Sequence, residues 1–111
     1  MSALPFEYQG DALRGETIAA ALKRVIDPEM AIDIVSLGLV YAVEESPRRI
    51  AVRITMTSAA CPVTDAILAD VDAELRHALG DGVDVDAEVV WEPPWVPERM
   101  SSRAREIMGW E

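Results

Sequence analysis

The chain of 111 residues has room for one domain, and its 50% hydrophobic content is that of a folded protein. Its 20 acidic and 10 basic residues give a formal net charge of −10 at pH 7. This charge repels phosphate backbones and anionic lipid headgroups, which proteins recognise mainly through Lys and Arg, so we expect neither nucleic acid nor membrane as a partner.

The start of the chain and its cysteine content bear on the cellular compartment. Residues 1–10 contain neither a basic start nor an apolar run of signal-peptide length. No stretch approaches the roughly 18 apolar residues of a membrane span. The single cysteine excludes a disulfide within the chain. The sequence therefore predicts a soluble protein of the reducing cytoplasm.

The first half of the chain is predicted to form an arm, a helix and a β-hairpin. Residues 1–10 are interpreted as a flexible arm in front of a domain over residues 11–111. Apolar residues recur at helical spacing over residues 11–26, and the Asp27-Pro28 pair ends this helix. Two strands joined by a turn predict a hairpin over residues 39–57.

The second half supplies two helices and a third strand. Pro62 begins a helix that carries an apolar residue at every fourth position and stops before Gly80. An alternating strand follows over residues 83–89, and a short helix over residues 101–108 ends at Gly109. The order α-β-β-α-β-α predicts a single α+β domain with helices packed on a three-stranded sheet.

Cys61 is the first candidate for chemistry because it directly precedes Pro62, and proline favours the first position of a helix. Unpaired N–H groups at a helix start carry partial positive charge and stabilise a thiolate. The alternative is a free cysteine that fills a small apolar gap. A thiol enzyme would also need a base, and the only histidine, His77, lies about 24 Å along the same predicted helix. The sequence therefore predicts a protein that is not an enzyme.

Four polar residues are candidate neighbours of the thiol. Asp27 and Glu29 belong to an acidic group around a proline turn, where the alternative is ordinary turn chemistry. Thr55 and Thr57 end the strand that leads to Cys61, and their hydroxyls are able to donate to a thiolate, although Thr is also a common strand residue. One thiolate cannot complete a four-ligand zinc or cluster site, so any further metal ligands must come from a second chain, a partner or a small thiol.

Three tryptophans interleaved with prolines form the last candidate surface. Trp91, Trp95 and Trp110 lie within twenty residues. A stiff aromatic segment of this kind either seals the core as a lid or forms a docking surface, since Trp is enriched in interface hot spots. The sequence leaves these two interpretations open.

Three stretches together resemble the SufT/PaaD-like family of small iron–sulfur assembly domains. They are DPEMAIDIVSLGLVY (27–41), TMTSAACP (55–62) and WEPPWVPERMS (91–101). The resemblance covers residues 17–110 and implies a fold similar to the C-terminal domain of NifU-type scaffolds. It also implies that Cys61 is the functional cysteine, with Asp27, Glu29, Thr55 and Thr57 beside it.

The implied function is that of an accessory factor in iron–sulfur cluster assembly or delivery, alongside a SUF-type system. The expected partners are the assembly machinery, apo-protein clients and a second copy of the chain, and the expected cargo is a transient cluster or iron that is not tightly bound. NifU-type domains carry CxxC, whereas SAACP here has one thiol. Longer PaaD-type proteins carry a cysteine-rich extension that the sequence up to Glu111 lacks, so we expect the short, stand-alone form of the family. The alternatives are a metal-free adaptor that recruits clients and a PaaD-type subunit of a ring-oxygenase complex.

Overall fold

The computed structural model describes residues 6–28, 30–56, 61–80 and 82–109. Three helices are present in this part of the chain: α1 (Ala12–Leu22), α2 (Cys61–Leu79) and α3 (Ser102–Met108). The strands are β1 (Glu7–Gln9), β2 (Ile26–Asp27), β3 (Ile32–Asp33), β4 (Val40–Ser46), β5 (Arg49–Ile54) and β6 (Asp84–Val89). A 3-10 turn, Pro97–Arg99, precedes α3. The predicted α+β class, with helices on a sheet, is confirmed.

The main sheet has four strands in the order β1-β4-β5-β6. β4 and β5 form the predicted antiparallel hairpin, with Val43 opposite Val52. β6 pairs with β5 in parallel, which places Val89 beside Ile54. The prediction of three strands was wrong, because it omitted β1, which pairs in parallel with β4. β1 has three residues and no apolar alternation, so it has no strand signal of its own and forms through backbone pairing.

β1 lies within the range predicted as a flexible arm, and polar contacts attach it to the domain. The Tyr8 hydroxyl donates to the carbonyl of Asp11 at 2.7 Å. Glu45 accepts from the Asp11 N–H at 2.9 Å and pairs with Arg14 at 3.0 Å. Burial, together with the negative charges of Glu45 and Asp11, raises the pKa of Tyr8 above its ordinary value. Residues 7–9 therefore belong to the sheet, while the boundary at residue 10 stays a prediction.

Capping residues mark the start of α1 and both ends of α3. Asp11 caps α1 by accepting from the N–H groups of Leu13 and Arg14. Ser101 caps α3 in the same way, and Gly109 follows the helix at φ 75°, a left-handed conformation that suits glycine. The prediction that the last helix stops before Gly109 is confirmed.

The core lies between the helices and one face of the sheet. α1 packs against α2, and α2 packs against β6. The largest fully buried side chains include Ile18, Leu22, Ile34, Leu37, Leu39, Ile50, Ile54, Ile67 and Leu75. The opposite, helix-free face carries the charged residues of β5 and β6. Of the helices in the described ranges, none combines the length and the apolarity that a bilayer crossing requires.

Residues 25–39 connect the helical layer to the sheet through a series of backbone hydrogen bonds. β2 and β3 form a second, two-stranded antiparallel sheet. The Ile34 N–H donates to the carbonyl of Val25 at 3.0 Å, and the Leu39 N–H donates to the carbonyl of Ile34 at 3.0 Å. The Thr55 N–H then donates to the carbonyl of Leu39 at 2.8 Å. These hydrogen bonds hold Thr55, the residue that follows β5, in place relative to β2 and the segment after it.

Candidate functional site

Cys61 is the first residue of α2, and Pro62 follows it. The predicted helix is therefore confirmed, and the cysteine lies at its N-terminal end. Buried Ile67, Val71 and Leu75 anchor the helix on the core. Residues 57–60 and the Cys61 side chain lie outside the described part of the structure. The contacts of the thiol, and the part played by Thr57, remain predictions.

Asp27 is buried at the end of β2, with 1% of its surface exposed. Its carboxylate accepts from the N–H of Met30 at 3.3 Å, and its carbonyl accepts from the N–H of Ala31 at 2.8 Å. Ala31 takes a positive φ of 58°, so the chain turns tightly around Asp27. This is turn chemistry, but β2 also packs against α2, so the buried carboxylate lies in a segment that contacts the cysteine-bearing helix. Glu29 lies outside the described residues.

Thr55 directly follows β5 and is also buried, with 1% exposure. Its backbone N–H is bonded to Leu39, as described above. Its hydroxyl oxygen is buried without a hydrogen-bond partner among the described residues. An unsatisfied buried hydroxyl costs about 1–3 kcal/mol, so such a group usually has a functional or structural reason.

Asp27 and Thr55 are the two buried polar side chains of the described residues. Both were singled out from the sequence as neighbours of the thiol. Thr55 precedes Cys61 by six positions, and β2, with Asp27, packs on the helix that Cys61 begins. The structure thus buries both side chains, one on a strand that contacts α2 and one six positions before Cys61, and their distance from the thiol stays a prediction.

Two other arrangements, a Cys–His dyad and a metal site, are not formed by the described residues. His77 is exposed in the last turns of α2. It lies 16 residues after Cys61 on one helix, about 24 Å along its axis, so the two residues do not form a dyad. Across the described ranges, no group of three or more His, Cys, Asp or Glu residues could hold a metal ion.

The tryptophan segment divides into an attached part and an exposed part. The Trp95 indole N–H donates to the carbonyl of Leu37 at 2.7 Å, and its half-buried ring packs against the core. Trp91 is 51% exposed. Trp110 lies outside the described residues. Trp95 therefore acts as a lid, whereas Trp91 remains available on the surface.

Contacts that the sequence did not reveal hold this segment against β4 and the loop before it. The Tyr41 hydroxyl donates to the carbonyl of Pro93 at 2.8 Å, and the Arg99 guanidinium lies 4.4 Å from the Tyr41 ring centroid, a cation–π geometry. Gly38 has a φ of 75°, and a Cβ there would collide with the backbone of Arg99. The partners are more than 50 positions apart, so no local sequence signal could have found them.

A cleft of about 720 Å³ lies between this segment and the helix-free face of the sheet. Its lining includes Tyr41, Ala42, Arg53, Pro93 and Arg99. Neither Asp27 nor Thr55 lines this cleft. This cleft is therefore separate from the two buried polar side chains.

The two described tryptophans should respond differently to substitution. Trp95→Phe removes the donor to the Leu37 carbonyl and part of the packing, so we expect a loss of about 1–2 kcal/mol in unfolding free energy. Trp91→Ala, at an exposed position, should change it by less than about 0.5 kcal/mol. Urea unfolding monitored by circular dichroism checks both values. Equal losses would show that Trp91 also belongs to the lid.

Comparison with known sequences identifies the class of protein. The chain belongs to the family described as iron–sulfur cluster assembly protein, whose model matches residues 15–89. It is a SufT-like member of that family. It is 40% identical over 86 residues to the Fe-S protein maturation auxiliary factor SufT of Staphylococcus aureus, covering 77% of this chain and 97% of that protein. It is 38% identical over 95 residues to the Fe-S protein maturation auxiliary factor YitW of Bacillus subtilis, covering 85% and 92%.

Solved structures show the same fold. A domain of unknown function from Bacillus anthracis superimposes with a TM-score of 0.80 at 39% identity, covering 90% of this chain and 94% of that one. A conserved hypothetical protein of Thermotoga maritima gives a TM-score of 0.72 at 38% identity, covering 91% and 96%. The expected likeness to the NifU C-terminal domain stays a prediction. Family membership and the relatives' names support a role in iron–sulfur protein maturation.

Proposed function

We propose that this chain is an accessory factor that assists iron–sulfur cluster assembly or delivery to apo-proteins, and that Cys61 carries this role. The observation that supports the proposal is Cys61 at the first position of α2 in a chain of the iron–sulfur cluster assembly family. Asp27 and Thr55 add two buried polar side chains, one on a strand that contacts α2 and one six positions before Cys61. Burial of polar groups is costly unless they have partners, so these two side chains are candidates for a functional role.

Each group has a chemical part in the proposed site. The N-terminal end of α2 favours the thiolate form of Cys61, which is the form that binds an iron ion or an iron atom of a cluster. The Thr55 hydroxyl, which lacks a described partner, donates to the thiolate or to a cluster sulfur. Asp27, with its carboxylate held by the turn, limits which cations approach. Glu29 and Thr57 are proposed as further neighbours.

The proposed role is non-catalytic. With His77 exposed and far along α2, the described residues offer no imidazole base for Cys61, which a thiol enzyme would require. The names of the relatives, maturation auxiliary factors, agree with an accessory role. The partners we propose are the cluster assembly machinery and apo-protein clients, with exposed Trp91 as one docking contact.

We expect any bound cluster to bridge chains. One Cys61 per chain supplies one sulfur ligand, whereas common clusters take about four protein ligands, and carboxylate oxygens suit a soft cluster poorly. The protein should therefore purify anaerobically without colour, or with substoichiometric iron that a chelator removes. Reconstitution with iron and sulfide should shift it toward a dimer or a mixed complex on size exclusion.

The control for this experiment is Cys61→Ala, which should prevent the shift while leaving the circular dichroism spectrum unchanged. Iron content, ultraviolet–visible absorbance and elution volume are measured on the same samples. A stable, stoichiometric cluster on a strict monomer would contradict the proposed ligand count. Activation of a cluster-dependent enzyme without any metal binding would favour the alternative, a metal-free adaptor.

A further inference from the structure

The free edge of β6 is a surface that the proposed thiol site does not use. β6 is the last strand in the order β1-β4-β5-β6, and no strand in the described part of the chain pairs with its other side. An edge strand of this kind can bind an extended peptide, which pairs with it as a further strand of the sheet. The structure gives three observations on what such a peptide would need.

The first observation is the direction of the backbone groups. The N–H groups of Asp84 and Val90 donate to carbonyls on the β5 side, each at 2.8 Å. Because successive residues of a strand direct these groups to opposite sides, the even-numbered residues bond to β5. The odd-numbered residues from 85 to 89 therefore direct their N–H and C=O groups to the free edge.

The second observation is incomplete burial of the apolar row on the helix side of β6. On β5 the equivalent residues, Ile50, Val52 and Ile54, are fully buried. On β6 the corresponding residues pack against the core but stay half-buried: Val85, Ala87 and Val89. A further strand with small or β-branched apolar residues in register would remove this surface from water.

The third observation is the order of charges across the helix-free face. Arg53 of β5 lies 4.0 Å from Glu44 of β4 and 3.6 Å from Glu88 of β6. Arg49 of β5 likewise pairs with Asp86 of β6. Charges thus alternate from strand to strand, and the acidic β6 side chains remain more than half exposed. Basic side chains on a strand added beside β6 would continue this alternation of charge.

We propose that β6 binds an extended segment of a partner protein in which Lys or Arg alternates with Val-like residues. The basic residues of the segment pair with Asp86 and Glu88, and its apolar residues pack beside the half-buried apolar row of β6. Its backbone forms hydrogen bonds with the odd-numbered residues from 85 to 89. A second copy of this chain does not fit, because a two-fold β6–β6 pair places acid against acid. This interaction goes beyond the proposed role of Cys61 and does not involve that residue.

Fluorescence anisotropy with a labelled seven-residue peptide of alternating lysine and valine tests the proposal. We expect saturable binding to the wild-type protein that weakens as NaCl rises from about 0.05 M to about 0.5 M. A matched peptide of alternating glutamate and valine should not bind. Cys61→Ser should bind the lysine peptide as the wild type does, so failure here and failure of the thiol proposal are distinguishable.

Ala87→Pro is the decisive variant. Proline lacks a backbone N–H, and the N–H of residue 87 is directed to the free edge and not to β5. Proline is tolerated at such edge positions, and we expect binding to weaken by about tenfold or more with the fold retained. Ala87→Thr, which keeps the N–H, should bind normally. Asp86→Asn combined with Glu88→Gln should weaken binding and flatten its salt dependence.

Some outcomes would overturn the proposal. These are no binding of the lysine peptide, equal binding of the glutamate peptide, or unchanged affinity in a folded Ala87→Pro variant. If that variant does not fold, a lysine–valine peptide N-methylated on the backbone positions that face β6 takes its place. Undiminished binding of the methylated peptide would equally exclude strand addition, and sedimentation showing a β6-dependent dimer would assign the edge to a second copy.

Discussion

Cys61→Ser should abolish the ability of this chain to restore a cluster-dependent enzyme in cells that lack the endogenous protein. Serine places a hard, neutral hydroxyl where a thiolate is needed, and it does not bind iron–sulfur clusters as a thiolate does. The fold should not suffer, because serine is well tolerated at the start of a helix. We expect a change in unfolding free energy below about 0.5 kcal/mol.

The measurement is enzyme activity in extracts, normalised to the amount of each variant. His77→Ala is the matched control on the same helix, and it should rescue fully because His77 is exposed and remote from the start of α2. Full rescue by Cys61→Ser would remove the thiol from the proposal and leave an adaptor that acts through surfaces alone. Loss of rescue by His77→Ala would mean that the imidazole acts on a partner.

Elements with strong local signals were predicted well from the sequence. The long helix from Cys61 to Leu79 follows from a proline at its start, apolar residues at spacing four and a glycine after it. The β4–β5 hairpin follows from two alternating runs around a turn. In both cases the pattern that favours the element is carried by residues close together in the chain.

Elements that depend on distant contacts were not predicted. β1 exists because its backbone pairs with β4, more than 30 positions away, and its own residues carry no strand pattern. The two-residue strands β2 and β3 are too short for any period to appear. The contacts of Tyr41 with Pro93 and Arg99 likewise require the fold first.

The candidate site shows the same division. The position beside a helix start pointed to Cys61, whereas a proline turn and a strand end, together with the family resemblance, pointed to Asp27 and Thr55. The burial of Asp27 and Thr55 could not be read from the sequence. β2, which carries Asp27, packs against α2, and the backbone of Thr55 is bonded to Leu39; both contacts join segments that are distant in the chain. Glu29 and Thr57 lie outside the described residues and remain predictions.

Thr55→Val should raise the stability of the protein and lower its function at the same time. Valine keeps the shape of threonine and removes a buried hydroxyl that has no partner among the described residues. Removing an unsatisfied buried group stabilises, so we expect a gain of about 1 kcal/mol. That gain corresponds to a melting temperature higher by about 4 °C.

Function should change in the opposite direction because the hydroxyl is the proposed donor to the cargo bound at Cys61, a partner that the unloaded protein does not offer during the unfolding measurement. Loss of one such hydrogen bond is worth about 1.4 kcal/mol, or about a tenfold fall in rescue at limiting expression. Thr55→Ser is the matched control, since it keeps the hydroxyl and loses a methyl group. It should retain function while losing about 1 kcal/mol of stability to a small cavity.

The pair of Thr55 variants separates a functional hydroxyl from a structural one. A hydroxyl that donates to the cargo gives a more stable, less active valine variant and a less stable, active serine variant. A hydroxyl that satisfies the backbone of residues 57–60 gives a valine variant that is less stable, with activity falling only as folded protein is lost. Thermal unfolding and rescue, measured on both variants, therefore place the buried oxygen of Thr55 either in the site or in the scaffold that holds it.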